Sequence, residues 1–310
     1  MSNLTKIKFS NLPRDISYRE DGDTFVMEMS QSCATANMQE NRAAFEAWAL
    51  YARTAGYKQI VLSENVWTRE LNKLEKLHYN RFLFRVHFFD KGFEWFTVSP
   101  PLIDKVESFI KTKIERDDLC INRPFTPAKP ETKIPEAYIE RQLVLDEYRE
   151  LLNNTFGLEI TEYYHQLPVG LFEGRVVSST AIFPRSHAAI DIWGLDGKTF
   201  HMIELKVGKN QNLGVLSEVF FYACFMNEMF CNKHLEYKIT EGKKKEKGLR
   251  GFTKLIAAEI NSVVVHILTE QKHPQLDSAL DELGKCSLKG IRFGKAEVLD
   301  FTEMMKKMVI

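Results

Sequence analysis

Two carboxylates and a lysine stand close together in the second half of the sequence. Asp191 interrupts the apolar run AAIDIW, and the segment HMIELKVG that follows places Glu204 and Lys206 two residues apart. In a strand, residues i and i+2 project from one face. Glu204 and Lys206 therefore point together, and a short turn brings Asp191 to the same space. Converging carboxylates with an ammonium at their edge make an oxygen-rich site for a hard cation. A divalent ion held there neutralises a scissile phosphodiester, lowers the pKa of an attacking water and stabilises the leaving oxygen. A lysine beside it polarises the water and offsets charge in the transition state. The backbone carbonyl of Leu205, between the two, offers a further ligand.

The elements that must position these residues read as a hairpin between two helices. Strands are expected at Ala189 to Gly194 and Thr199 to Val207, joined through Leu195-Asp196-Gly197-Lys198, because Asp-Gly is a favoured two-residue turn. A further strand is expected at Tyr163 to Leu167. Upstream, Pro135 to Asn153 carries Ile139, Leu143, Val144, Tyr148, Leu151 and Leu152 on one stripe and predicts a single helix. Downstream, LGVLSEVFFYACFMNEMF predicts a largely buried helix over Leu213 to Phe230. A strand at Asn261 to Leu268, a helix at Leu276 to Leu283 and a strand at Ile291 to Asp300 complete the pattern.

Glu-x-Lys takes its meaning from context, since it also occurs at Glu131, Glu236, Glu241 and Glu270. Glu131 lies among prolines, Glu236 and Glu241 flank a charged loop, and Glu270 has no Asp-bearing hairpin partner just upstream. With Asp191 before it, Glu140-Arg141-Gln142-Leu143 on the preceding helix, and Leu216-Ser217-Glu218 with Tyr222 on the following one, Glu204-Leu205-Lys206 resembles the PD-(D/E)XK nuclease superfamily of restriction-endonuclease-like fold. The resemblance covers roughly Pro135 to Leu268. It implies an α/β fold with a central mixed sheet flanked by helices, and Mg²⁺, for which Mn²⁺ substitutes, held by Asp191, Glu204, the Leu205 carbonyl and Glu140. Lys206 would assist the water, with Glu218 and Tyr222 in support. Ile190 stands where the family has proline before the aspartate, and Glu218 where many members carry glutamine.

Plainer readings exist for each residue. Asp191, Glu204 and Lys206 could form a surface cross-strand ion pair worth under about 1 kcal/mol, but Ile190, Ile192, Ile203, Leu205 and Val207 around them argue for strands inside a sheet, where unpaired charge is costly. Glu140 competes with Glu147 and Glu150, and Glu218 with Tyr222 could be satisfied core polar groups. Gly197-Lys198-Thr199 lacks the earlier glycine of a phosphate loop, Ile192 standing in its place. His165, His187 and His201 show no metal-ligand spacing, and His201 shares the face of Ile203, away from Glu204. Ser178-Ser179-Thr180 has no nucleophile elbow.

The segment EGKKKEKGLRGFTK holds Lys243, Lys244, Lys245, Lys247, Arg250 and Lys254. Such a run is ordinarily a solvated loop; beside a nuclease centre it would neutralise backbone phosphates and position a nucleic acid, most plausibly DNA.

Asn122 to Glu136 contains Pro124, Pro127, Pro130 and Pro135 and reads as an extended connector. The expected organisation is an N-terminal α+β domain over residues 1–121, a linker over 122–136, and a nuclease-like domain over 137–310. In the first domain, strands are expected at Thr24 to Met29 and Lys58 to Leu62, a helix at Met38 to Tyr57, a hairpin of Arg81 to Phe89 with Phe93 to Val98 about Asp90-Lys91-Gly92, and a proline-opened helix at Pro100 to Glu115. Its aromatics (Phe82, Phe84, Phe88, Phe89, Phe93, Trp95, Phe96) read as core rather than a base-stacking platform. It carries no catalytic constellation, and its role stays open between selecting substrate, binding a protein partner and mediating a homodimer, the last favoured by double-strand cleavage with one site per chain.

The chain has 310 residues, 44% of them apolar, with 42 Lys plus Arg against 42 Asp plus Glu. No apolar run approaches the roughly 18 residues that span a bilayer, and no secretory leader is evident, so a cytoplasmic protein is expected. Five scattered cysteines without a CxxC pair suggest neither disulfides nor a thiolate zinc site. Zero net charge excludes tight non-specific coating of DNA, and leaves room for locally charged sites with modest, salt-sensitive affinity. The alternative to a nuclease is a nucleic-acid-binding or scaffold protein on the same fold without hydrolysis.

Overall fold

The hairpin turn forms one residue later than its residue pair predicts: Asp196 pairs with Thr199, so Gly197 and Lys198 make the two-residue loop. In the computed structural model, which describes residues 12–121, 135–184, 188–208, 212–233, 235 and 251–308, Gly197 sits at a φ of 55°, a left-handed value that suits glycine.

In chain order, β1 (Ile16–Asp21) and β2 (Thr24–Met29) precede the short α1 (Gln31–Ala34) and α2 (Phe45–Thr54). Next come β3 (Gln59–Glu64), α3 (Lys73–Gly92), β4 (Phe96–Val98), α4 (Pro100–Phe109) and β5 (Leu119–Ile121). Beyond the proline-rich stretch lie α5 (Pro135–Leu143), α6 (Asp146–Phe156), β6 (Tyr163–Pro168) and β7 (Leu171–Glu173). Then follow β8 (Ala189–Asp196), β9 (Thr199–Lys206), α7 (Val215–Phe230), α8 (Phe252–Ala257), β10 (Ser262–Thr269), α9 (Leu276–Leu283), β11 (Ile291–Val298) and α10 (Thr302–Met308).

The fold is mixed α/β. A four-stranded sheet runs β1-β2-β3-β4, with β1 antiparallel to β2 and the rest parallel. A five-stranded sheet runs β11-β10-β9-β8-β6, parallel from β11 to β9 and antiparallel from β9 to β6. β5 pairs antiparallel with β7, tying the two halves together. α7 is buried along almost its whole girth, and one apolar core joins Phe45, Phe82 and Phe89 of the first half to Phe200, Met202, Phe220 and Phe221 of the second. The other face of the five-stranded sheet carries Ile192, Ile203 and Leu205 against Ile139, Leu143, Leu152 and Phe156 of α5 and α6. No described helix is long and apolar enough to cross a membrane, and all five cysteines are free.

Three expectations need correction. Of the expected hairpin, Arg81 to Phe89 and the Asp90-Lys91-Gly92 turn are instead part of α3, a 20-residue helix, while Phe96–Val98 of its second run is a strand, β4, paired parallel to β3. Its start is a capping box, Asn72 accepting from the Glu75 N–H at 3.0 Å and Glu75 accepting from the Asn72 N–H at 2.9 Å. The C-terminal half of α3 is enclosed on nearly every side, which erases the polar face that would have revealed a helical period. The single helix over Pro135 to Asn153 is two helices, because Leu145 turns to extended backbone (ψ 150°); the break sets Ile139 and Leu143 of α5, with Leu152 and Phe156 of α6, on one core. The helix expected from Met38 begins only at Phe45, after a single 3₁₀ turn at Asn41–Ala43.

On the α6 side, the rings of His201 and His266 stack with centroids 5.6 Å apart, and Phe156 covers His266 at 4.7 Å. Burial, then His201, pushes His266 down to about 3. A histidine neutral when folded and ordinary when unfolded takes up protons on unfolding, so its contribution to stability is lost as pH falls below about 6.5. The stability advantage of the wild type over His266→Gln is expected to shrink by on the order of 2 kcal/mol between neutral pH and about pH 5. Denaturant unfolding of both proteins across that range measures it, and a pH-independent difference counts against the assignment.

Candidate metal centre

The hairpin does not stay paired to its end. β8 and β9 pair from Asp196 opposite Thr199 to Ile192 opposite Ile203, while β9 continues beside β10 as far as Lys206 and β8 continues beside β6 to Ala189. The strands part where Asp191 and Glu204 would face each other. The Leu205 N–H donates instead to the Asp191 Oδ2 at 2.9 Å, which satisfies an amide that burial would otherwise penalise.

α5 starts at Pro135, a residue suited to a first helical turn, and Glu136 and Glu140 lie one turn apart on it. Carboxylate oxygens of Glu136, Glu140 and Asp191 come within 4.8 Å of one another. One oxygen of each takes a protein donor: Asp191 from Leu205, Glu140 Oε2 from Gln166 Nε2 at 2.5 Å, and Glu136 Oε2 from the Val207 N–H at 3.5 Å. The second oxygens have no donor among the described residues. Gln166 holds a left-handed φ of 56°, a strained value for glutamine.

Glu204 and Lys206 share a face, as their spacing predicts. Lys206 donates to Glu204 and makes an ion pair with Glu218 at 3.0 Å. Glu218 also accepts from Gln39 of the first half and from the Tyr222 hydroxyl at 3.4 Å. Asp191 is 8% exposed and Glu204 4%, so five buried or half-buried carboxylates surround one ammonium.

That imbalance sets the protonation. Burial, against the pull of Lys206, pushes Asp191 up to about 7, and burial with the Asp191 charge pushes Glu140 up to about 8. Burial raises Glu204 well above the carboxylate range, with Asp191 and Glu218 adding to it, and it also raises Glu136. Lys206 moves against its burial, because Glu204, Glu218, Asp191 and Glu136 together hold its proton. Glu218 goes below its ordinary value: burial opposes this, and Lys206 outweighs it with the hydrogen bonds from its neighbours.

Of the residues expected to bind metal, the structure brings Asp191 and Glu140 together and adds Glu136. The Glu204 carboxylate is engaged by Lys206 and is not part of that triad. Leu205 turns its N–H to Asp191. Glu218 and Tyr222 support Lys206. Lys243, Lys244, Lys245, Lys247 and Arg250 lie outside the described residues, as does His187; Lys254 pairs with Glu162 at 2.7 Å on the surface. Sequence reasoning missed three residues. Glu136 lies in both the expected linker and the expected helix from Pro135 and was not singled out, although its spacing from Glu140 is a helical signal. Gln39 and Gln166 gave no local sign.

A hard divalent cation fits three clustered carboxylates with unengaged oxygens. Because Asp191 and Glu140 hold protons near neutrality, an entering ion must displace them. Affinity for Mn²⁺ is therefore expected to rise between about pH 6 and pH 8 with proton release, read by calorimetry in buffers of different ionisation heat. Glu136→Gln should weaken it by about tenfold or more; equal affinity in that variant would remove Glu136 from the site.

No family model, no curated protein sequence and no solved structure matches this chain.

Proposed function

We propose that the protein is a metal-dependent nuclease of PD-(D/E)XK type, with a restriction-endonuclease-like core in its second half, hydrolysing phosphodiester bonds in DNA. The observation that carries this reading is the triad of half-buried Glu136 with buried Glu140 and Asp191 beside Lys206, at the point where β8 and β9 part. Asp191, Glu140 and Glu136 would hold Mg²⁺ or Mn²⁺. The ion, when bound, supplies charge neutralisation at the phosphate and a more acidic water.

The chain's own residues do the rest. Lys206 has three N–H donors; Glu204 and Glu218 engage two, and the third can orient a water or a phosphate oxygen. Glu204 and Glu218 keep Lys206 protonated and fix its position. Gln166 and the Leu205 N–H hold Glu140 and Asp191 in place, and the surrounding apolar residues strengthen each charge interaction by excluding water.

A second reading, binding of nucleic acid without hydrolysis, is favoured by one observation: the Glu204 carboxylate is bonded to Lys206 and lies apart from the triad.

Cleavage assays with Mg²⁺ and Mn²⁺ on duplex, single-stranded and branched DNA and RNA separate the two. Asp191→Asn and Lys206→Gln are each expected to lower cleavage by at least about a hundredfold while circular dichroism stays native. A wild type that takes up Mn²⁺ and cleaves none of these substrates supports the second reading. Absence of Mn²⁺ uptake sinks the metal site itself.

A further inference from the structure

α3 carries two buried arginines one turn apart, and they are treated differently. Arg85 is answered by a carboxylate: Glu46 accepts from its Nε at 2.6 Å and from its Nη2, and the Ala43 carbonyl accepts at 2.8 Å. Among the described residues, no carboxylate lies within ion-pair distance of Arg81, which is 4% exposed. Its Nη2 donates to the Asn37 Oδ1 at 2.9 Å and faces the His78 Nδ1 at 3.2 Å, and its guanidinium lies over the Phe221 ring, 5.8 Å from the centroid. The Nε and Nη1 hydrogens have no acceptor among the described residues, and neither nitrogen is one of the buried polar atoms left without a partner. Burial, then Arg85, lowers Arg81 to about 10 against the opposing pull of Tyr222 and of Glu218, an anion Arg81 shares with Lys206, so it stays charged at neutral pH. A buried unpaired cation is costly unless an anion answers it.

Arg81 opens on a pocket of about 280 Å³, which Asn37, Gln39, His78, Ala188 and Tyr222 help to line. Two of these residues, Gln39 and Tyr222, donate to Glu218, the partner of Lys206, and Ala188 leads into the strand of Asp191. The pocket therefore shares a wall with the candidate metal centre. His78 is pushed down to about 4 by burial and by Arg81. A neutral ring that accepts at Nδ1 carries its proton on Nε2, which leaves a second donor for an anion.

We infer that this pocket binds a phosphate group of the polynucleotide strand next to the one being cleaved, held by the free edge of Arg81 and the Nε2–H of His78. The inference rests on the nuclease reading and gives the first half of the chain a part in it: α3 and the segment bearing Asn37 and Gln39 would set the strand's register against the metal centre. A planar guanidinium with free N–H groups suits a phosphate diester, and the acidic cluster next door does not repel the strand when its charge is neutralised by a cation.

The test uses the full chain with Ca²⁺ in place of Mg²⁺, and a short fluorescein-labelled single-stranded DNA whose binding is followed by anisotropy over a range of salt. Arg81→Gln is expected to weaken binding by about tenfold or more and to reduce the slope of log affinity against log salt by about one. Arg81→Lys should recover part of the affinity. His78→Gln, at a less buried position, should weaken it severalfold, and serves if Arg81→Gln does not fold. Inorganic phosphate should compete with the DNA in the wild type and lose that competition in the variants. Unchanged DNA affinity in folded Arg81→Gln or His78→Gln, or no DNA binding by the wild type, overturns the inference. Mn²⁺ calorimetry on the same proteins keeps the two readings apart: uptake should be equal in all, and a wild type without uptake defeats the nuclease reading on separate grounds.

Discussion

Too many carboxylates around one ammonium is the constraint on which the rest of the structure turns. At about 4 Å and an effective dielectric of 20, two like charges repel by about 4 kcal/mol, so Glu136, Glu140, Asp191, Glu204 and Glu218 cannot all ionise beside a single Lys206. The chain meets this by sharing protons, pushing Asp191, Glu140 and Glu204 up while Lys206 and Glu218 stay charged, and by aiming N–H groups at individual oxygens. Gln166, Gln39, Leu205 and Val207 each donate to one member of the cluster. A divalent cation would relieve the remaining imbalance more completely than any of these.

The two halves of the chain meet at this cluster rather than beside it. α7 contributes Glu218 and Tyr222 and at the same time packs Phe220 and Phe221 against α3 of the first half. Gln39 crosses to Glu218, and Arg81 sits over Phe221. A shift of the first half on α7 would move Lys206's partner, so the geometry of the charged site depends on the apolar core that joins the halves.

What could be read in the sequence was what is locally encoded. The Asp-Gly turn and the alternation in HMIELKVG placed Glu204 and Lys206 on one face and His201 on the other, because a strand's period is a property of neighbouring residues. Glu136 fell where the expected helix from Pro135 overlaps the proline-rich connector, and there its one-turn spacing from Glu140 was not read as a second ligand. α3 was hidden by its own burial, since a helix enclosed by other elements needs no polar stripe, and its aromatics mimic strand composition. The break at Leu145 and the left-handed Gln166 follow from tertiary packing. Gln39 and Arg81 lie far from the hairpin in sequence, and only the fold makes them its neighbours.

Where β8 and β9 part, a side chain replaces a rung of the ladder: Asp191 accepts the Leu205 N–H that a facing carbonyl would otherwise take. The position therefore answers to the sheet as well as to any ion held beside it. An asparagine there could still take the Leu205 N–H, whereas an alanine would leave a buried amide without an acceptor. The acidic charge and the acceptor are thus separable at this one residue.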